Sequence, residues 1–316
     1  MVWYIIRRLC VAVVLVLAVG VLTRLVLHLL PGDPVVVLAG IERAQDPEVV
    51  KAIRASLGLD KPIYVQIAVW VWRLFRLDLG NTLATQQPVV DVIRDTLPRS
   101  LYIVAGGAMT GVLVGIPLGV TASLNRNRWL DWITSSVAAL GISTPVFVVG
   151  TLLVLLLGVK LRWFPTSGYV DFSEDPGDFL RRLTLPVATL GFGMMAFVTR
   201  MTRSTMLEVM NQDYVRTARS KGLMESRVVY KHALRNALVP VVSLVGVELG
   251  TLLGRTVVVE YIFNWPGLGT MLLWAISLRD YMLAQGIVVI ISVLFILINL
   301  LTDLAYGYLN PRIRYA

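Results

Sequence analysis

Two ionisable side chains, Glu248 and Arg255, lie inside an otherwise apolar run, Leu238–Val259. A charge at the centre of a bilayer costs at least about 2.5–3.5 kcal/mol, so both are expected to face a protein bundle or a wet path. Their seven-residue spacing is about two helical turns, which places them on one face roughly 10 Å apart. The alternatives are a purely structural pair, or an Arg255 that reaches outward to the surface. Pro145 lies in the middle of another apolar run. A mid-membrane proline frees backbone carbonyls, which are tolerated where they face protein or water. Pro145, Glu248 and Arg255 are therefore candidates for lining a translocation path. Glu260 is expected at the outer end of the same helix as Glu248, fixing the loop that follows. That loop, with Phe263, Trp265, Pro266 and Gly267, is a candidate gate.

Other chemistry finds little support. The sequence has no GxxxxGK[S/T], no HExxH and no paired-cysteine metal motif. His28 and His232 are the only histidines and Cys10 the only cysteine. No nucleophile, base or metal constellation suggests an enzyme, no nucleotide site is visible, and the one cysteine leaves the redox context open. This chain is expected to bind no cofactor of its own.

A stretch of different character is Asp213-Tyr-Val-Arg-Thr-Ala-Arg-Ser-Lys-Gly222, continuing to Lys231-His-Ala-Leu-Arg-Asn-Ala-Leu238. Asp213 suits a helix start and Gly222 the residue just past a helix end. A second helix is expected from near Glu225 toward Pro240. Arg216, Arg219, Lys221, Arg227, Lys231 and Arg235 face only Asp213 and Glu225. One reading is a basic loop held by acidic lipid. Lipid-binding helices, however, want Leu, Phe or Trp where this one has Thr217, Ala218 and Ser220. Small side chains let another protein approach closely.

The elements that must carry these residues are membrane helices. The chain is 56% hydrophobic and 16% charged with mean hydropathy +0.73, far from the roughly 25% charge of a soluble domain. Its +9 net charge is therefore read through topology, not as affinity for nucleic acid. A span needs about 20 apolar residues. Six are expected, at 9–30, 101–124, 132–157, 185–206, 238–259 and 282–305. The first, preceded by Arg7 and Arg8, is too long for a signal peptide and lacks a nearby cleavage site. Arg24 and His28 at its far end are expected to snorkel outward. The 31–98 segment looks soluble-like: Pro31-Gly-Asp-Pro34 breaks the chain, Asp46 caps a helix ending at Gly58, Pro62–Phe75 suits an interfacial helix, and Asp78-Leu-Gly80 is a turn. Span two carries Gly106, Gly107, Gly111, Gly115 and Gly119, a spacing that permits close helix contact. The 208–236 loop and the 261–281 loop complete the chain.

Six spans put both termini on one side. Raw basic counts barely differ between the sides, but much of one side's count lies in the long 31–98 segment. The short loops and the acidic balance favour the side holding Arg7, Arg126, the basic stretch and Arg312 as cytoplasmic.

The basic stretch resembles the cytoplasmic "EAA" loop of bacterial ABC-importer permeases, in particular the dipeptide, oligopeptide and nickel branch. The general motif is Glu-Ala-Ala, three residues, Gly, nine residues, Ile-x-Leu-Pro. The matching positions here are Arg216, Thr217, Ala218, Gly222, His232, Leu234 and Arg235. The glycine, one alanine and the leucine agree; Glu, Ile and Pro do not. Further similarities cover nearly the whole chain: Leu30-Pro-Gly-Asp-Pro34, Leu57-Gly-Leu-Asp-Lys-Pro62, Arg200-Met-Thr-Arg-Ser204, Ile262-Phe-Asn-Trp-Pro-Gly-Leu-Gly269 and Asn310-Pro-Arg-Ile-Arg314.

The resemblance implies an all-α integral membrane protein of the type I ABC importer permease fold, in a bacterial inner membrane. Asp213, Tyr214, Arg216, Thr217, Ala218, Lys221 and Gly222 would form a coupling helix seated on an ATP-binding subunit. ATP and Mg would be bound by two such partners. A second homologous permease chain would complete the pore, and an extracytoplasmic binding protein would deliver a short peptide. The same machinery importing a nickel chelate or glutathione is the alternative. An ion-coupled carrier is more remote, because no repeated halves are seen.

Overall fold

The computed structural model describes residues 2–29, 46–56 and 60–309. Pro31–Pro34, Leu57–Leu59 and Asn310–Arg314, singled out in the sequence, lie outside them. The described residues form α1 (Val2–Leu29), α2 (Pro47–Ser56), α3 (Ile63–Phe75), α4 (Val89–Leu124), α5 (Trp129–Ser143), α6 (Val146–Lys160), α7 (Pro176–Val209), α8 (Asp213–Ser220), α9 (Glu225–Phe263), α10 (Leu268–Ser277) and α11 (Tyr281–Leu309).

Five of these helices are long and apolar enough to cross a membrane; a sixth span exists if α5 and α6 count as one. The span expected at 132–157 is that bent pair. The chain bends by 109° between α5 and α6, because Pro145 cannot continue the first helix and instead caps the second with extended backbone (φ −57°, ψ 140°).

Helix ends also differ from the sequence reading. The helix expected from 101 begins at Val89 and carries Asp91, Arg94, Asp95 and Arg99 in its first turns. Helical backbone satisfies its own hydrogen bonds, so a helix need not stop where apolar side chains do. Likewise α7 begins at Pro176, with Asp175 Oδ1 accepting from the N–H groups of Gly177 (2.9 Å) and Asp178 (3.0 Å). Pro186, the second residue of the expected span 185–206, lies inside the helix. The helix expected to stop near Pro240 runs through it to Phe263, joining the segment after the basic turn to the span that follows, with a π-helical stretch at Val228–Ala233.

The chain divides into two compact units, Met1–Arg99 with Pro266–Ile296, and Ser100–Trp265 with Leu297–Ala316. In the second, the glycine-rich face of α4 meets α7 in a regular register. Gly106, Gly111, Gly115 and Gly119 lie against Val187, Met194, Val198 and Thr202. A Cβ on Gly115 would come within 2.8 Å of Val198 Cβ and 2.9 Å of the Met195 carbonyl oxygen. Thr199 Oγ1 donates to the Gly115 carbonyl at 3.3 Å, crossing the same contact. Backbone cannot yield as a flexible side chain does. Replacing Gly115 by Val is expected to destabilise the chain by about 3 kcal/mol, read as a lowered thermal midpoint in detergent; an unchanged midpoint would refute the close packing.

In the first unit, α1 and α3 meet where Trp70 covers Gly20. Arg24 does not snorkel as expected. It is 5% exposed, with Nη2 donating to Gln66 Oε1 (2.9 Å) and Nη1 to Gln285 Oε1 (3.4 Å). Gln66 and Gln285 are themselves buried, Gln285 Nε2 donating to the Gly20 carbonyl at 2.9 Å. His28 is exposed. A core of Leu27, Val89, Ile93, Leu268, Ala275 and Ile287 packs nearby. Asp280, buried beside it, accepts from the N–H groups of Leu83 (2.6 Å), Ala84 (3.3 Å) and Leu283 (3.0 Å). Burial pushes this carboxyl above its ordinary range, and the backbone donors oppose that shift.

Candidate functional site

The basic stretch folds as a compact knob. Gln212 precedes α8 and makes no side-chain cap. Asp213, expected to cap, is instead the first helical residue; its carboxylate is in solvent, 3.6 Å from Arg216. Negative charge in the first turn still suits the positive helix end. Thr217 and Ser220 bond back to the carbonyls of Asp213 and Arg216.

Val215 and Ala218 are buried against Val228 and Leu223. Ala218 therefore faces the knob's own interior, and not outward toward a partner as its size suggested. Tyr214, Arg216, Thr217, Ser220 and Lys221 form the exposed face. Two braces hold the knob on α9: Asn236 Nδ2 donates to Tyr214 Oη at 2.9 Å, and Arg219 forks onto both Glu225 oxygens at 2.7 and 3.1 Å. Gly222 has φ +74° and no atom within 4 Å of its missing Cβ. Its N–H donates to the Arg219 carbonyl at 2.9 Å, so backbone conformation, not space, demands the glycine.

A second feature brings together residues far apart in sequence. Pro145, Glu248 and Arg255 line one cavity of about 310 Å³, with Gly193 and Phe197. Glu248 Oε1 and Arg255 Nη1 are in direct contact at 2.6 Å. The axial separation expected from their spacing is spanned by the two long side chains. The Glu248 side chain is 13% exposed and that of Arg255 44%, so the pair sits at the cavity's edge.

The expected gate residues split differently. Glu260 is fully buried and accepts from Ser100 Oγ at 2.5 Å; its carbonyl takes the Trp265 N–H at 2.8 Å. Asn264 turns the chain with φ 47°. The Phe263 carbonyl accepts from the Gly168 N–H (2.9 Å), and buried Trp265 meets Tyr169 edge-on at 4.9 Å. Pro266 is half-buried, and Gly267 immediately precedes α10. Glu260, Phe263 and Trp265 thus make a buried corner at the start of the loop expected as a candidate gate.

Sequence reasoning missed Asp131 and Arg203. The Arg203 guanidinium binds both Asp131 oxygens (2.6 and 2.8 Å), and Asp131 also accepts from the Asn127 N–H and Ser135 Oγ. Asp131 is 4% exposed. Only an apolar neighbourhood around a lone acid at a loop end hinted at it. Among the described residues no cluster of His, Cys, Asp or Glu could hold a metal ion.

Long apolar helices, a solvent-exposed basic knob and a cavity edged by an ion pair describe a multi-pass membrane protein. The chain belongs to the family of binding-protein-dependent transport system inner membrane components, whose model matches residues 115–315; a companion N-terminal model of that family matches 1–104. A Brucella abortus (strain 2308) protein, named provisionally as a peptide transport system permease, is 44% identical over 98% of both chains. The glutathione transport system permease protein GsiC of Salmonella choleraesuis is 40% identical over 99% of both. A chain of the MetNI methionine ABC transporter in inward-facing conformations superposes with TM-score 0.58 over 69% of this chain and 96% of that one, at 19% identity. The fold is that of an ABC importer permease in the inner membrane, and the family works with ATP-binding and substrate-binding partners.

Proposed function

We propose that the chain is the permease for short peptides in an ATP-driven importer. The observation that carries this reading is the full-length relationship to a peptide-transport permease at 44% identity. The exposed face of the knob, Tyr214, Arg216, Thr217 and Lys221, is the docking element for an ATP-binding subunit in the cytoplasm. Asp213 and Gly222 set its ends, and Ala218 supports it from inside. Two ATP-binding subunits, which hold ATP and Mg, a second homologous permease and an extracytoplasmic binding protein complete the assembly. Both termini are cytoplasmic in this arrangement.

The cavity at Pro145, with the Glu248–Arg255 pair, belongs to the translocation path. A neutral pair of opposite charges can meet the two charged ends of a zwitterionic peptide at low cost. The 40% identity to a glutathione permease favours glutathione, itself a small peptide, as the second reading; a nickel chelate is the third.

The test is a reconstituted assembly with its natural binding protein. Dipeptides and tripeptides are expected to raise ATP hydrolysis several-fold and to accumulate in vesicles. Stimulation by glutathione alone would establish the second reading. Stimulation by a nickel chelate alone, or by no peptide, would refute peptide import.

A further inference from the structure

The first unit contains a cavity of about 470 Å³ that transport does not explain. Arg24 lines it, with Lys61 and Arg73, and Asp78 is the one acidic residue in its wall. Arg24 is 5% exposed. A guanidinium has five N–H donors, and here two of them reach acceptors, both carboxamide oxygens of buried glutamines. The other three have no acceptor among the described residues, and no carboxylate among them pairs with Arg24. Asp78 Oδ1 is taken by the Gly80 N–H at 2.8 Å. A buried cation held only by neutral dipoles is an unfinished site.

We propose that this cavity binds a phosphate oxyanion. Arg24 at the floor presents donors in the planar geometry that phosphate accepts. Lys61 and Arg73, both exposed, flank the entrance and attract the anion from outside. Asn81, Thr82 and Gln86 supply further polar wall. The phosphate can belong to an anionic phospholipid headgroup or to a free ion. The setting favours the headgroup. The helix α3, which carries Gln66, Trp70 and Arg73 into the cavity wall, exposes Tyr64, Trp72 and Phe75 at 71, 60 and 66%. An amphipathic helix with such a face lies at headgroup depth.

The experiment follows the thermal midpoint of the full-length chain in delipidated detergent. It is titrated with short-chain phosphatidylglycerol and, separately, with sodium phosphate, each against chloride at equal ionic strength. A saturable rise is expected. The exposed pair K61Q/R73Q should weaken the apparent affinity about threefold. Arg24→Gln should weaken it roughly tenfold or more. If Arg24→Gln fails to fold, the K61Q/R73Q titration decides. Saturation with lipid alone assigns the headgroup; saturation with phosphate as well shows that the free oxyanion suffices. No saturable response to either ligand, or titrations unchanged in the folded variants, would overturn the proposal.

Discussion

Replacing Gly222 by Pro is expected to lower uptake at least tenfold while leaving the chain in the membrane at its normal level. Proline holds φ near −65°, and Gly222 has φ +74° with an N–H given to the Arg219 carbonyl. The substitution removes that bond and forces the turn between α8 and α9 to a different direction. It leaves every spanning helix intact. Gly222→Ala is the graded control. No atom opposes its Cβ, so its cost is the left-handed backbone alone, about 1 kcal/mol, and most uptake should survive. Uptake and ATP hydrolysis measured side by side give the check. Normal uptake in the Gly222→Pro variant would remove the knob from the mechanism. Equal loss in both variants would point to space instead of backbone direction.

The Asp131–Arg203 pair carries the second large effect. Asp131→Ala is expected to destabilise the chain by about 2–3 kcal/mol, somewhat below the loss for a fully buried pair, because the Arg203 side chain is 30% exposed and water can reach it. Arg203→Ala should cost about as much, since it leaves a nearly buried carboxylate with only Asn127 and Ser135. The double variant should cost less than the two losses added, with a coupling of about 1–2 kcal/mol. Thermal or denaturant unfolding of the four proteins in one detergent is the measurement. Strict additivity would mean that the two groups do not support each other. The pair fastens the start of α5 to the last turns of α7, just before the knob, so its loss should also reduce uptake.

Much of this was legible in the sequence because the bilayer imposes length and composition on whatever crosses it. The six apolar runs, the glycine ladder on α4 and the boundaries of the knob at Asp213 and Gly222 all follow from local rules. Glu248 and Arg255 were visible as a pair for the same reason: helical periodicity places them on one face. What stayed hidden depends on partners distant in the chain. Arg24 looks like a snorkelling residue until Gln66 and Gln285 are seen beside it. Asp131 looks like loop charge until Arg203 arrives. Ala218 looks like a surface small residue because nothing local tells which side of a two-turn helix faces Val228. The early start at Val89 was missed because polar side chains signal water, and helices extend into water freely. Pro145 signalled a break, but a proline alone does not say whether a helix kinks gently or turns by 109°.

The unbroken run of α9 has a mechanical consequence. It comprises 39 residues, a rod about 58 Å long. With its far end anchored at the Phe263–Trp265 corner, a swing of about 5° would carry the knob end through an arc of about 5 Å and Glu248 through about 2 Å. Leverage of this kind needs stiffness, and the π-helical turn at Val228–Ala233 and the missing backbone bond at Pro240 are the places along the rod where the ladder could absorb the stroke. Shortening that turn by one residue would tighten the transmission, but it would also rotate the knob by about 100° about the shaft, out of line with whatever grips it.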